Sequence, residues 1–189
     1  MSYIYIISAP SGAGKSSLVA AITRLDPLIA VSISHTTRPP REGEQSGQEY
    51  HFVTVEAFQK LKAENAFLEW AEVYGHFYGT SWQSLQNPLN TQHDVILEID
   101  WQGAQQVKKR YPNSIGVFIQ PPSLESLQER LEKRGKDTPD VIQKRLQGAR
   151  EELSHSPEFD YVIINENFDE AVADLLAIIR AQRCHQSPL

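Results

Sequence analysis

The sequence predicts an α/β fold in which a mainly parallel sheet is flanked by helices, and three observations carry that prediction. Short apolar runs rich in β-formers (residues 4–8, 94–100, 114–120 and 161–165) alternate with segments of helical period. The first run passes at once into a loop of small residues and then a helix, through Ala9-Pro10-Ser11-Gly12-Ala13-Gly14-Lys15-Ser16-Ser17. Polar residues, Ser34, Asp100 and Asn165, stand at the carboxyl ends of later strands, where ligands collect in parallel sheets.

The chain as a whole sets bounds on function. Its 189 residues, 40% of them hydrophobic, suffice for one sizeable core and are short for two. A net charge of −6 argues against a general binder of nucleic acid or of acidic membranes. No apolar run approaches the roughly 18–20 residues that span a bilayer. The first residues lead straight into a strand, without the basic and apolar regions of a signal peptide. The single cysteine, Cys184, excludes an internal disulfide and suits a reducing compartment, so a cytoplasmic location is expected. The six histidines are scattered without metal-ligand spacing, and no structural zinc site is expected. There is no internal repeat.

The strand–loop–helix at the start ends in Gly14-Lys15-Ser16, the tail of the phosphate-binding pattern G-x-x-x-x-G-K-[ST]. Small residues let backbone N–H groups turn inward around phosphate oxygens, and a helix N-terminus adds partial positive charge. In such a loop Lys15 reaches the β- and γ-phosphates, and the Ser16 hydroxyl ligates Mg²⁺. Ala9 stands where the pattern has its first glycine.

After the first helix, residues 29–34 read as a short strand entering His35-Thr-Thr-Arg38-Pro39-Pro40-Arg41-Glu-Gly43-Glu44, and residues 47–53 return as another. Arg38 and Arg41, braced by prolines, form either a solvated loop or a second phosphate clamp, since Arg forks match phosphate bidentately. Residues 55–65 have a helical period, and 66–80 are aromatic-rich and Gly-punctuated, as strands and turns are. That stretch is either an ordinary aromatic hairpin core or a nucleobase pocket in which Glu69 accepts from ring donors. The strand 94–100 ends in Asp100, placed either to hold Mg²⁺ through water or to cap the helix that runs to about Arg110. A helix over 123–134, stopped by Gly135, and another from Asp137-Thr138-Pro139 to about 153 carry Arg130, Lys133, Arg134, Lys136, Lys144, Arg145 and Arg150. Lys133, Lys136 and Lys144 read as solvated; the hinged basic hairpin has the make-up of a mobile lid. A final helix over 169–183 precedes a tail expected to fray to Leu189.

On these residues the chain resembles the guanylate kinases, nucleoside monophosphate kinases that make GDP from GMP. The resemblance runs nearly the whole length. Ser8-Ala-Pro-Ser-Gly-Ala-Gly-Lys-Ser is similar to the family's P-loop, in which Ala is accepted at the first Gly position. Ser34-His-Thr-Thr-Arg-Pro-Pro-Arg-Glu-Gly-Glu with Gly47 and Tyr50-His-Phe-Val is similar to its long signature. Phe67-Leu-Glu-Trp-Ala, Tyr78-Gly-Thr, Leu97-Glu-Ile-Asp-Trp-Gln-Gly, Arg130-Leu-Glu-Lys-Arg-Gly and Lys144-Arg-Leu resemble its GMP-binding, site-base and lid segments.

The resemblance implies a P-loop nucleoside monophosphate kinase fold in one domain. Its core is about 1–33, 94–124 and 156–189, its GMP-binding region about 34–93, and its helical lid about 125–155. It implies that ATP lies on residues 9–17, with Asn165 near the adenine. Arg38, Arg41 and Tyr50 would bind the GMP phosphate; Ser34, Glu69 and Thr80 would read the guanine; Tyr78 would help close the pocket. Glu98 and Asp100 would face GMP and the metal-bound water, with Mg²⁺ on Ser16 and, through water, Asp100. Lys15, Arg38, Arg130, Arg134 and Arg145 would neutralise the transferring phosphoryl group. The implied substrates are ATP and GMP or dGMP, in purine nucleotide metabolism and GMP recycling, with no nucleic acid or membrane partner and with monomer and homo-oligomer both open. An acceptor phosphate with a second pKa of about 6 needs no general base, and the chain has no obvious catalytic His or Cys. The rivals are a kinase for another phosphorylated small molecule and a non-catalytic phosphopeptide-binding module on the same fold. Lys15, Ser16 and the lid arginines, all present, argue against the module.

Overall fold

The computed structural model of the chain describes residues 2–135 and 138–185, the Arg134 side chain excepted. A five-stranded parallel sheet forms its centre. The first strand, β1 (Ile4–Ser8), lies in the middle. It pairs on one side with β7 (Asp94–Glu98), beyond which lies β2 (Ile29–Val31), and on the other with β8 (Ile115–Gln120), beyond which lies β9 (Tyr161–Ile164). Every residue of β1 is buried, which is why its sequence is a continuous apolar run rather than an alternating one. Alternation still sorts the two faces. Tyr5 and Ile7 meet Leu18, Val19 and Ile22 of α1 (Lys15–Leu25) and Val172, Leu175 and Ile179 of α7 (Phe168–Cys184). Ile4 and Ile6 meet Leu85 of α3 (Trp82–Asn90) and Ala104 and Val107 of α4 (Trp101–Arg110).

A second, four-stranded sheet has the order β4 (His51–Phe52), β3 (His35–Thr36), β6 (His76–Ser81), β5 (Phe67–Val73). The β5–β6 hairpin turns on Tyr74 and Gly75, both at positive φ (51° and 78°), as a two-residue turn matching strand twist requires. Helix α2 (Val55–Ala63), capped by Thr54, stacks Phe58 on Phe67 and Phe77 of this sheet, at 4.5 and 5.5 Å between ring centroids. Helices α5 (Leu124–Arg134) and α6 (Pro139–Ser154) form a hairpin with a small core of their own, Leu127, Leu131, Ile142 and Ala149. Ser123 caps the start of α5, and Gly135, at φ 64°, ends it in the left-handed region.

Several elements differ from the reading of the sequence. The expected strand 29–34 ends at Val31; Ser32 keeps one ladder bond to Ile96, and the chain then crosses to the second sheet as β3. The expected strand 47–53 is cut to His51–Phe52, because residues 45–50 form turns around Gly47 at φ 88°. Strand β7 stops at Glu98, two residues before Asp100. Helix α3 was not anticipated: Pro88 sits inside it, yet Trp82, Leu85 and Leu89 have helical spacing and the Ser81 hydroxyl caps it through the Ser84 N–H. Thr138 occupies the N-cap position of α6 without making a side-chain cap bond. The expectations for Lys136, Asp137 and the tail 186–189 lie outside the described residues. No described helix is long and apolar enough to cross a membrane.

Candidate active site

The phosphate loop grows out of the carboxyl end of β1. Gly12 and Gly14 take φ of 98° and 94°, the Ala13 N–H donates to the Pro10 carbonyl at 3.0 Å, and α1 begins at Lys15 with no side-chain cap on its first N–H groups. Those N–H groups are thereby left for an anion. Ala9 has no positive φ, so the β-carbon that replaces the pattern's first glycine introduces no backbone strain. Residues 9–14 thus form a tight loop that leads directly into an uncapped helix N-terminus.

The neighbouring strand β7 delivers Glu98 onto this loop. Its Oε2 accepts from the Ser16 hydroxyl at 2.8 Å and lies 4.0 Å from the Lys15 ammonium. Asp100 is occupied differently. Its Oδ1 accepts from the Gly103 N–H at 2.9 Å, making it the N-cap of α4, and its Oδ2 accepts from Gln102 at 3.0 Å. Burial holds its carboxyl above the ordinary value. Of the two acids, Glu98 rather than Asp100 meets the Ser16 hydroxyl. Among the described residues no group of three His, Cys, Asp or Glu side chains could hold a metal ion. Ser16 and Glu98 are hard oxygen donors, too few for a cage but suited to an ion that brings phosphates and waters with it.

The residues expected to read a base converge behind this wall. The Ser34 and Thr80 hydroxyls are 2.9 Å apart and buried, and the Thr80 N–H donates to Glu69 Oε1 at 2.7 Å. Glu69 is only 3% exposed, and burial, reinforced by the Asp100 charge, pushes its carboxyl up to about 7. Its second oxygen fits against α4 where Gly103 has no side chain: a β-carbon there would lie 2.5 Å from Glu69 Oε2. Gly103→Ala is thus expected to shift the Glu69 carboxylate and not the backbone. The KM for the acceptor should rise about tenfold, with little change in melting temperature; steady-state kinetics beside thermal unfolding check this.

The Arg38 guanidinium forms a two-pronged pair with Glu44 at 2.9 and 3.0 Å and lies 5.5 Å from the Tyr50 ring centroid. Glu44 also accepts from the Arg41 N–H at 2.6 Å, so one carboxylate organises the Pro-braced loop. In the sequence, the one signal for this role of Glu44 is its place six residues after Arg38 in the same loop. Tyr50 and Tyr78 meet edge to face at 5.9 Å. Burial, and then the Glu98 charge, push the Tyr50 phenol up to about 12.

The α5–α6 hairpin closes over the loop. Arg145 of α6 donates to the Ser11 hydroxyl, and Arg130 of α5 donates to the Asn165 carbonyl at 2.7 Å. The Arg134 side chain lies outside the described residues. From the opposite side, Tyr74 at the β5–β6 turn donates to Glu152 of α6 at 3.2 Å, over Gly148, whose missing β-carbon makes room for the phenol. Neither Tyr74 nor Glu152 was singled out in the sequence. Asn165, expected beside an adenine, has its side-chain amide 2.7 Å from the Ala13 carbonyl. Ser34, Arg38, Arg41, Tyr50, Glu69, Tyr78 and Thr80 belong to the second sheet and its loop; the rest of the site lies at strand ends of the first and on the helical hairpin.

Three comparisons with known proteins agree. A family model described as guanylate kinase matches residues 1–182. The guanylate kinase of Shewanella oneidensis is 56% identical over 181 residues, covering 95% of this chain and 87% of that protein. The guanylate kinase of Thiobacillus denitrificans is 52% identical over 180 residues, 95% of this chain and 86% of that protein. The crystal structure of guanylate kinase from Anaplasma phagocytophilum superposes with a TM-score of 0.78 at 33% identity, covering 98% of this chain and 88% of that one.

Proposed function

This chain belongs to the guanylate kinase family, and from that membership we infer that the cleft between the phosphate loop, the second sheet and the α5–α6 hairpin is where it works. It is an ATP-dependent GMP phosphotransferase, making GDP. The observation that supports placing the reaction here is the position of Glu98. Its carboxylate accepts from the Ser16 hydroxyl of the phosphate loop at 2.8 Å and lies 4.0 Å from Lys15, so an acidic strand end stands against the loop that would hold the donor phosphates.

The division of labour follows the chemistry of the side chains. The N–H groups and side chains of Ala9 to Ser17 hold the ATP phosphates, with Lys15 on the β- and γ-oxygens. Ser34, Glu69 and Thr80 take the guanine, the Glu69 carboxylate accepting from N1–H and the 2-amino group. Arg38, Arg41 and Tyr50 take the GMP phosphate, for which Glu44 keeps Arg38 and Arg41 in place, and Tyr78 closes the pocket. dGMP is taken as a second acceptor beside GMP, as the resemblance implies. Residues 125–155 act as the lid, 34–93 as the GMP-binding region, and the remainder as the core. Ser16 and Glu98, with Asp100 further off, would hold Mg²⁺, which when bound would supply neutralising charge to the phosphates. A GMP phosphate with a second pKa of about 6 is already a competent nucleophile at neutral pH. The chain therefore needs only to bring two polyanions into line and exclude water, which Lys15, Arg38, Arg130, Arg134 and Arg145 do by charge and the lid by closure. The exposed, unpaired Cys184 suits a reducing compartment, and we place the enzyme in the cytoplasm.

An ADP-release assay with ATP·Mg²⁺ and GMP, AMP, UMP or CMP in turn tests the assignment of the pocket. Turnover with GMP far above the rest is expected; equal turnover with AMP would remove Glu69 from base recognition. The raised Glu69 carboxyl makes a further prediction. A carboxyl pushed up to about 7 in the free enzyme is protonated below that pH, presenting an O–H to one of the two guanine donors, and is ionised above it, accepting from both. Guanosine, which has no phosphate to titrate, should bind more tightly as pH rises from about 5.5 to about 8, levelling above the carboxyl's pKa. Competition binding across that range checks it, and Glu69→Gln should flatten the profile.

A further inference from the structure

We propose that Asn165 is a positioning residue for the phosphate loop, holding the Ala13 carbonyl so that the following N–H is aimed at the donor phosphates. The inference rests on the reading of residues 9–17 as the ATP phosphate site. It replaces a part in adenine recognition with a different one.

Asn165 follows the last residue of β9, and its own N–H extends the ladder to the Gln120 carbonyl at 2.8 Å, so its backbone is as fixed as the sheet. The residue is 5% exposed. Its side-chain amide donates to the Ala13 carbonyl at 2.7 Å across 152 residues of sequence. Only the nitrogen of the amide can face a carbonyl, so this orientation is chemically determined. A trans peptide is planar, with its C=O and N–H pointing in opposite directions. Fixing the Ala13 carbonyl on Asn165 therefore fixes the Gly14 N–H on the side away from it, in the turn that leads into α1.

Two further contacts make this a joint rather than an isolated bond. A β-carbon on Gly14 would lie 2.4 Å from the Asn165 amide nitrogen, so the loop approaches as closely as only glycine permits, at a φ of 94° that also favours glycine. The Asn165 carbonyl accepts from Arg130 at 2.7 Å, and β-carbon positions at Gly12 lie 3.0 Å from both Leu127 and Leu131 of the same helix. Phosphate loop and lid root are thus set from one residue, by its side chain and its main chain respectively. A side-chain substitution removes the first tie and leaves the second.

The test compares Asn165→Ala and the isosteric Asn165→Asp with wild type for binding of ATP, ITP and inorganic tripolyphosphate. GMP binding serves as the readout that general loss of structure would move and loss of this tie would not. A net hydrogen bond is worth about 0.5–1.5 kcal/mol, so dissociation constants for all three donors should rise together by about threefold to tenfold, with that for GMP unchanged. A rise for ATP with tripolyphosphate unchanged would make Asn165 an adenine reader and overturn the proposal; so would no change in any. Wild type failing to bind tripolyphosphate and ATP would instead overturn the phosphate-site reading beneath it. If both variants fail to fold, the wild-type protein decides by NMR. The Asn165 side-chain amide signals should move with tripolyphosphate, and movement with adenosine alone would refute the proposal.

Discussion

Lys15→Ala lowers turnover with ATP and GMP by about a thousandfold, while the dissociation constant for GMP stays within a few-fold of wild type; that magnitude is the one expected for loss of a donor aimed at charge developing in a dry site. The ammonium lies at the start of α1, 4.0 Å from Glu98, and its charge also acts on Glu69, Asp100 and Glu152. In the free enzyme it is therefore a cation amid a set of carboxylates, and on the assignment proposed above it would meet the γ-phosphoryl once ATP binds. Removing it leaves those acids harder to ionise and the donor phosphates without their nearest positive side chain. Single-turnover measurements separate the effects: the chemical step should carry the loss, and GMP binding, which we assign to the second sheet and the Arg38–Arg41 loop, should not. A fall confined to GMP affinity would place Lys15 on the wrong substrate.

Glu69→Gln lowers kcat/KM for GMP by about a hundredfold with the affinity for ATP unchanged, and narrows the preference for GMP over AMP. A carboxylate accepts two hydrogen bonds from guanine, whereas an amide presents N–H to one of those donors. A site built around a hydrogen-bonding group discriminates strongly because the wrong partner leaves buried polar atoms unpaired. The 3% exposure of Glu69 and its bond from the Thr80 N–H leave it little freedom to retreat from such a mismatch. Kinetics with GMP and AMP on wild type and variant give the result directly; an unchanged ratio would assign base selection elsewhere.

The parts of this site that local chemistry dictates were legible in the sequence. A continuous apolar run, glycines at two loop positions and Lys-Ser at a helix start describe the phosphate loop, and the structure keeps each in that place. The parallel sheet followed from alternation of strand and helix, and the structure brings Ser34, Glu69 and Thr80 into contact with one another. What sequence spacing could not supply was pairing across long separations. Glu98 and Asp100 stand two residues apart on the same strand end, and only the close of β7 and the start of α4 decide that one meets Ser16 and the other becomes a cap. Likewise Gly103 reads as an ordinary helix residue until Glu69 is seen against it, and Tyr74 as an ordinary turn aromatic until α6 lies beneath it. Residues 29–34 and 47–53 were over-read as longer strands, because apolar and β-branched content does not show where the chain leaves one sheet for another.

The central place of β1 also has a consequence for biosynthesis. The strand is made well before its partners, residues 95–98 on one side and 115–118 on the other. At translation rates of about 5–20 residues per second, roughly 5–20 s pass before its first neighbour exists. Over that interval Ile4-Tyr-Ile-Ile is an apolar segment with two open edges, the form of chain most prone to pair with strangers. Native closure then depends on contacts across some 90 residues and more, the slow class of topology. The hydrogen bond from Asn165 to the Ala13 carbonyl of the phosphate loop likewise forms only after a further 152 residues have been made.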